Sequence, residues 1–303
     1  MLKTSLLHDQ GGILIGIFFL LSSCHAYKKA ARQLTDEIRK ELSAEKGFFA
    51  VAFKDLSTGS EIRINDKEEF HAASTMKTPV MIEVYRQVAE KKLALNEQVT
   101  LKNEFISIAD GSTFTLDSAD DSETKLYRHL GETRTLAELL YQMITVSSNL
   151  ATNIIIEKVD PQNVMKTMRG MGAMDIRVRR GVEDNKAFAK GLNNTTTAHD
   201  LMLIFEQIAN GSIVSADACA DMIRVLGDQQ FNEIIPAGVA AGVKVAHKTG
   251  SITGVHHDSG IVFMPDGRKY VLVILSKGLQ DEKSAVKAMA RVSAMIYEYM
   301  KDR

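Results

Sequence analysis

A serine and a lysine separated by two residues, Ser74 and Lys77, open a helix-like stretch in this chain of 303 residues. At this spacing both side chains lie on one helix face, near its positive end. The same spacing recurs from Ser43, Ser122 and Ser284, so the spacing alone is weak evidence. Small and apolar neighbours distinguish Ser74 and favour burial of Lys77. A buried lysine tends to be neutral, and a neutral amine can take the proton of an attacking hydroxyl.

A second polar motif, Ser147–Asn149, begins 73 positions after Ser74. The hydroxyl of Ser147 could relay a proton to a leaving nitrogen. The amide of Asn149 could hold a substrate amide, although capping the helix that follows is an equally simple role for it.

A third motif, Lys248–Ser251, begins 101 positions after Ser147 and ends a strand rich in β-branched residues. Gly250 would allow a substrate to lie against the backbone. Lys248 and the hydroxyls of Thr249 and Ser251 could bind a carboxylate. The order of the three motifs, each at a helix start or a strand end, indicates acyl transfer to a serine.

Over about residues 47–303, these motifs resemble those of the penicillin-recognising serine enzymes, and most closely those of class A β-lactamases. The resemblance implies that Ser74 is acylated by a small-molecule β-lactam. It also implies an oxyanion hole formed by the backbone N–H groups of Ser74 and Ser251. The expected enzyme is a serine hydrolase that needs no cofactor.

The resemblance also implies a base that drives hydrolysis of the acyl-enzyme, and Glu183 is the candidate, with Asp184 as an alternative. A solvated loop acid is the simpler interpretation of Glu183. The family pattern is broken at two nearby places: Gly181-Val182 stands where the family has a tryptophan-like residue, and Ala187 stands where it has an asparagine. Because the family has an asparagine where Ala187 stands, Asn193 or Asn194 could replace it as a ligand of the hydrolytic water.

Two further departures concern the substrate. Ser148 occupies the position where the family usually has an aspartate, and His256–Asp258 lies where a carboxylate-binding arginine often stands. The preferred β-lactam class is therefore left open. The paired histidines have one adjacent carboxylate and lack the spacing of a zinc site, so we expect no metal.

The order of predicted elements sets the fold. A helix that Gly47 ends precedes strands at 48–56 and 61–65, and strands at 243–247, 259–264 and 269–276 precede a closing helix. Between them, helices are predicted at 75–92, 136–145, 149–158, 161–172, 197–211 and 215–226. The acidic segment 117–123 is predicted as a solvated loop.

These elements predict an α+β fold: an antiparallel sheet from both termini, flanked by terminal helices, joined to a central all-helical domain. The catalytic domain would span 27–303, with an α/β part at 27–73 and 236–303 and a helical part at 74–235. The active site should lie between the two parts.

Residues 1–26 have the character of a signal peptide, with an apolar run too short to span a bilayer. The ending at Cys24 predicts a lipid-anchored periplasmic lipoprotein, and cleavage after Ala26 is the alternative. Cys219, the only other cysteine, is predicted to be a buried apolar residue. A net charge of −1 does not favour binding to nucleic acid. We expect a monomer.

Three functions fit these observations. The leading one is a serine β-lactamase, an activity associated with antibiotic resistance, and whether its turnover is fast enough for resistance is left open. The second is a D-alanyl-D-alanine carboxypeptidase or an esterase that uses the same nucleophile. The third is a non-catalytic lipoprotein that binds cell-wall fragments, and retention of both Lys77 and Ser147 argues against it.

Overall fold

A computed structural model describes residues 29–302, so the predicted signal peptide and Cys24 lie outside the described residues. The helices are α1 (29–43), α2 (Lys77–Ala89), α3 (Leu136–Thr145), α4 (Asn149–Val159), α5 (Pro161–Gly170), α6 (Asn185–Ala189), α7 (Ala198–Ala209), α8 (Ala216–Gly227) and α9 (Glu282–Lys301). The longer strands are β1 (Phe48–Asp55), β2 (Glu61–Ile64), β9 (Lys244–Ile252), β10 (Val255–Phe263) and β11 (Lys269–Lys277).

Those longer strands form one antiparallel sheet in the order β2-β1-β11-β10-β9. Strand β1 pairs along its whole length with β11, from Phe48 opposite Lys277 to Asp55 opposite Tyr270. The sheet therefore joins the beginning of the described chain to its end. Together with the helices between them, this arrangement confirms the predicted fold class.

Each face of the sheet is covered by helices. On one face α1 and α9 bury a cluster that includes Ile38, Phe53, Ile274 and Ile296. The alternation along β1 and β11 sends the other side chains, such as Ala52, into a larger cluster with the central helices. Helix α2 is buried along most of its length, as its apolar sequence predicts.

Helix starts are fixed by local hydrogen bonds. Thr135 and Glu138 form a reciprocal capping box at the start of α3, and Ser148 caps α4 by accepting from the N–H of Ala151. The Cys219 side chain is buried in α8, as expected. Within residues 29–302, no helix is both long and apolar enough to cross a membrane.

The structure departs from the predicted elements in the centre. The single helix predicted at 75–92 is a 3-10 turn, Ala73–Met76, followed by α2. Short strand pairs also occur between the helices: β3 (Phe70–His71) with β8 (Thr195–Thr196), β4 (Gln98–Thr100) with β7 (Thr133–Thr135), and β5 (Phe105–Ile106) with β6 (Thr113–Phe114). Strands of two or three residues are too short to produce a periodic sequence pattern.

The prediction of a solvated loop for the acidic segment 117–123 is wrong at two positions. Asp121 and Glu123 are buried. Each carboxylate accepts backbone N–H groups, which offsets the cost of removing it from water. The segment is thus packed against the helical part of the molecule.

Candidate active site

Ser74 lies in the tight turn before α2. Its neighbour Ala73 has a φ of 45°, and the Ala73 N–H donates to His71 Nδ1 at 3.1 Å. Strand β9 passes so close that a Cβ on Gly250 would come within 3.0 Å of the backbone nitrogens of Ser74 and Thr75. Glycine is therefore favoured where the third motif meets the serine backbone, because any side chain there would crowd it.

Lys77 is fully buried, and its ammonium points to the second motif. Nζ donates to the Ser147 carbonyl at 2.7 Å, to Ser147 Oγ at 3.0 Å and to Asn149 Oδ1 at 3.0 Å. Burial lowers the pKa of Lys77 to about 7, and the negative charges of Asp121 and Glu183 partly oppose that shift. A substantial neutral fraction at neutral pH follows.

Ser147 is shared by two lysines. Its Oγ accepts from Lys77 and also from Lys248 Nζ, at 3.1 Å. Lys248 is fully buried too, and burial followed by the charge of Lys77 holds its pKa well below the ordinary value. Of the oxygens that Lys77 contacts, only the Ser147 hydroxyl can also donate, so a neutral Lys77 can accept the Ser147 proton. The contact can thus carry a proton in either direction.

Glu183 is connected to this network through Asn149. Asn149 Nδ2 donates to Glu183 Oε1 at 2.5 Å, while its oxygen accepts from Lys77. Burial raises the pKa of Glu183, with a smaller lowering effect from the Asn149 hydrogen bond. Because Ser148 is the cap of α4, the capping role considered for Asn149 is wrong. The interpretation of Glu183 as a solvated loop acid is also wrong, because its carboxylate is partly buried and accepts from Asn149.

The loop that carries Glu183 is held in place by hydrogen bonds to the residue before the glutamate. The side-chain amide of Asn153 accepts from the Val182 N–H at 2.6 Å and donates to the Val182 carbonyl at 3.0 Å. A Cβ on Gly181 would collide with Asn153, so the departure from the family pattern at this point leaves room for that clamp. Glu183 itself has a φ of 60°, a strained value for a non-glycine residue.

Asp184, the alternative base, has a different set of contacts. Its carboxylate accepts from Ser107 Oγ, from the Ile108 N–H and from the Ala187 N–H at the start of α6. These bonds tie the glutamate loop to the β5–β6 hairpin. They leave Glu183 as the carboxylate that contacts the lysine network.

The two asparagines considered as water ligands are also engaged. Asn194 Oδ1 accepts from the N–H groups of Arg179 and Arg180, and its Nδ2 donates to the Arg180 carbonyl. Asn193 Oδ1 accepts from the Arg180 guanidinium at 3.2 Å. Both amides therefore brace the loop rather than stand free beside Glu183.

A cleft of about 740 Å³ exposes this network. The predicted residues Ser74, Ser147, Asn149, Glu183, Thr249, Gly250 and Ser251 line it. Lys77 and Lys248 lie buried behind Ser147. All nine predicted site residues are thus brought together.

The two histidines of β10, His256 and His257, lie in different surroundings. His256 lines the cleft, where Nδ1 lies 3.2 Å from Ser251 Oγ and Nε2 lies 2.9 Å from Glu282 Oε2. His257 Nε2 donates to the His71 carbonyl, and burial lowers the pKa of His257 to about 4, so that ring is neutral. Within residues 29–302, no group of three or more His, Cys, Asp or Glu side chains could hold a metal ion.

Comparison with known proteins identifies the family. A sequence model of the β-lactamase enzyme family matches residues 33–300. The chain belongs to this family. It is 26% identical to the β-lactamase SME-1 of Serratia marcescens over 91% of this chain and 94% of that protein. It is also 26% identical to a β-lactamase of Bacillus amyloliquefaciens over 80% of this chain and 74% of that protein.

Solved structures of this β-lactamase-family fold are similar over most of their length. PBP-A superimposes with a TM-score of 0.77 and 25% identity, covering 89% of this chain and 97% of that one. A β-lactamase from Sphaerobacter thermophilus superimposes with a TM-score of 0.76 and 25% identity, covering 91% and 98%.

One buried residue of the site is not singled out by the sequence. Asp121 contacts the second motif through the backbone N–H groups of Asn149 and Leu150. These partners are 28 and 29 positions away, and no local pattern connects them. The only signal in the sequence is indirect. The second motif has Ser148 where the family usually has an aspartate, and an acidic loop elsewhere in the chain could supply the missing carboxylate.

Proposed function

We propose that this protein is a serine β-lactamase that hydrolyses the lactam amide through an acyl-enzyme on Ser74. The observation that carries the proposal is the continuous network Lys77–Asn149–Glu183 at the floor of the cleft. It supplies a base for acylation and a carboxylate of raised pKa for deacylation.

In the acylation step, Ser74 Oγ attacks the lactam carbonyl carbon and its proton passes to neutral Lys77 or to a water bound by Glu183. The carbonyl oxygen becomes an oxyanion, which the N–H groups of Ser74 and Ser251 would stabilise. When the intermediate collapses, the C–N bond breaks and the nitrogen takes the Ser147 hydroxyl proton. Lys77 or Lys248, each bonded to Ser147 Oγ, returns a proton to that oxygen. The proton that left Ser74 restores this lysine, and where Glu183 took that proton through the water it gives it back by the same route, so Glu183 is ionised before deacylation.

In the deacylation step, Glu183 removes a proton from a water that attacks the ester carbonyl. The second tetrahedral intermediate collapses with cleavage of the bond to Ser74 Oγ, which takes up the proton that Glu183 removed from the water, so both groups return to their starting states. Thr249, Ser251 and Lys248 would bind the substrate carboxylate during both steps.

The test follows a chromogenic cephalosporin with protein that lacks residues 1–26, together with Ser74→Ala and Glu183→Gln. We expect steady turnover by the unmodified site, none by Ser74→Ala, and a stalled adduct of the intact mass of an acyl-enzyme in Glu183→Gln. Glu97→Gln, which removes a carboxylate that is ion-paired with Lys158 away from the cleft, is the matched control and should turn over normally.

A D-alanyl-peptidase that penicillin merely acylates is the second candidate. One observation favours it: of the two asparagines Asn193 and Asn194, only Asn194 lines the cleft, and both ends of its amide are bonded to the backbone of Arg179 and Arg180 rather than free for a hydrolytic water. Similarity to PBP-A, a point mutant of which was solved as an acyl-enzyme complex with penicillin G, is consistent with stable acylation on this fold. A permanent adduct on the unmodified protein, without turnover, would establish this function instead.

We also propose that the protein is exported and anchored through a lipid on Cys24, and that it acts as a monomer. The apolar run before Cys24 supports the anchor. Radiolabelled palmitate should enter the full-length protein and not Cys24→Ala. Labelling of neither protein, with a mature form that begins after Ala26, would show ordinary signal cleavage.

A further inference from the structure

The second motif is supported by a carboxylate from outside it. Asp121 is only 6% exposed. One of its oxygens, Oδ2, accepts from the N–H groups of Asn149 and Leu150 at 2.9 Å each and from the Tyr127 hydroxyl at 2.9 Å. The other oxygen accepts from the Glu123 N–H at 3.0 Å. The anion thus lies at the positive end of α4, where the first-turn N–H groups lack helical partners.

Ser148, the central residue of the motif, does not fill the position at the start of α4 that Asp121 occupies. Its short side chain caps the Ala151 N–H at 3.2 Å and lies 3.5 Å from Asp121 Oδ2. A serine hydroxyl can satisfy one N–H of the helix start, and the other two need another acceptor. Asp121 therefore completes a cap that Ser148 only begins.

Asp121 holds the backbone of Asn149, whose side chain Lys77 contacts, and so fixes the turn that also carries Ser147. Ser147, directly before the cap, has a φ of 58°, a conformation that costs free energy unless its surroundings fix it. Lys77 donates to both polar oxygens of Ser147 and to Asn149. A shift of this turn would separate Lys77 from Ser147 and Asn149 from Glu183 together.

We infer that Asp121 is a positioning residue of the active site, a carboxylate that fixes the Ser147–Asn149 turn and balances the ammonium of Lys77 from a separate loop. It does not line the cleft, so it acts through the residues it holds. This role deepens the proposed function and rests on it for its effect on acylation.

The negative charge of Asp121 acts on Lys77, so the role of Asp121 can be measured in the protein without substrate. The charged groups around Lys77 are the carboxylates of Asp121 and Glu183 and the ammonium of Lys248. Tyr127, which donates to Asp121, has a pKa raised far above its usual range by burial and then by Asp121, so it stays neutral. Removing the Asp121 charge should therefore lower the pKa of Lys77, and by the same sign that of Glu183.

The first experiment is a pH titration of the Lys77 Cε signal by NMR in ¹³C-lysine-labelled protein, assigned with Lys77→Arg. In Asp121→Asn the amide oxygen can still accept the two N–H groups, so the fold should persist, which circular dichroism checks. We expect the Lys77 midpoint to fall by about one pH unit. Asp117→Asn, an exposed acid of the same loop, is the matched control and should leave it unchanged.

A second pair of variants tests the position of the carboxylate. Ser148→Asp in the Asp121→Asn background returns a carboxylate to the motif, and aspartate is itself a good helix cap. We expect this double variant to regain the Lys77 midpoint and most of the rate of Ser74 acylation by penicillin G, which Asp121→Asn should slow roughly tenfold. Ser148→Asp alone would bring two carboxylates together and should be worse than the double variant.

The outcomes separate the two proposals. An Asp121→Asn midpoint equal to that of the unmodified protein, or a double variant no better than Asp121→Asn, would overturn the positioning role. Absence of acylation in the unmodified protein would overturn the proposed function, whereas the titration would still decide the role of Asp121.

Discussion

At the residue scale, the site depends on side chains that make two contacts at once. Ser147 Oγ connects Lys77 with Lys248, and Asn149 connects Lys77 with Glu183. Each is uncharged, so it can join charged groups without adding to their repulsion. A proton lost at one end of this network changes the hydrogen bonding at the other end.

The first prediction concerns His256, at the mouth of the cleft. A carboxylate only accepts hydrogen bonds, so Glu282 fixes the proton on Nε2 and leaves Nδ1 facing Ser251. The ring thus holds the Ser251 hydroxyl, which is proposed to bind the substrate carboxylate. Replacement by alanine, His256→Ala, should raise KM for a penicillin roughly tenfold with little change in kcat, because carboxylate binding is used equally in ground and transition states.

The control for this prediction is a substrate without the carboxylate. The methyl ester of the same penicillin should bind the unmodified protein and His256→Ala equally. An equal rise in KM for acid and ester would assign His256 to the shape of the cleft rather than to carboxylate binding. Glu282→Gln, which keeps an acceptor for Nε2, should have a smaller effect than His256→Ala.

At the element scale, the position of the loop before α6 is fixed by side chains of helix α4. Asn153 is in the same helix as Asn149, one turn later, so a single rigid element fixes both Glu183 and the preceding Val182. The hairpin of β5 and β6 supports the other side through Asp184. The glutamate is thus positioned from two directions.

The second prediction is that Asn153→Ala impairs deacylation more than acylation. Loss of the amide leaves the Val182 N–H and carbonyl without partners, at a cost of about 1–3 kcal/mol in the free energy of unfolding. Acyl-enzyme should accumulate during turnover, seen by intact mass after rapid quenching. Asn163→Ala, at an exposed residue of α5 whose amide donates to the Val159 carbonyl, is the control, and equal accumulation in both variants would contradict the prediction.

Much of this frame can be predicted from sequence. Helix α3 begins and ends where apolar spacing places it, because Thr135 and Glu138 supply a complete local cap. The predicted start of β10 is four residues too late. The polar side chains His257 and Asp258 hide the strand pattern, since they are buried against the His71 carbonyl and against His247.

The site is predictable where motifs carry it and not where distant contacts do. Ser74 and Lys77 stand in a recognisable short motif at the start of a helix. Lys248 stands in another, but the prediction that this motif ends a strand is wrong, because β9 continues through it to Ile252. Asp121 and Asn153 work through partners about 30 positions away, and such pairs cannot be inferred from spacing along one sequence.

At the scale of the whole molecule, two lysines are buried at the junction of β9 with the helices. Both have pKa values below the 10.5 of an unfolded lysine. In the unfolded chain they bind protons that the folded protein partly releases above neutral pH. The free energy of unfolding should therefore rise with pH between about 7, the pKa of Lys77 in the folded protein, and the 10.5 of an unfolded lysine, and it should fall as the pH drops toward 7.

The third prediction follows from this linkage. Lys77→Met should raise the free energy of unfolding at pH 7.5, because an apolar side chain replaces a buried amine, and should reduce the slope with pH. Urea unfolding at several pH values measures both. Lys102→Met, at an exposed lysine paired with Glu157, should keep the slope of the unmodified protein. An unaltered slope in Lys77→Met would mean that Lys77 keeps its proton on folding.

The pairing of β1 with β11 also sets an order of events during synthesis. Phe48 cannot pair until Lys277 has been made, 229 positions later, and β11 must in turn be in place before β10 and β9 complete the sheet. Such distant pairing slows folding. A ribosome that has made the nucleophile has not yet made the strand that touches its backbone. An unfinished chain therefore has no complete active site. It also lacks the complete sheet, so it is still incompletely folded, as passage through a membrane channel during the predicted export would require.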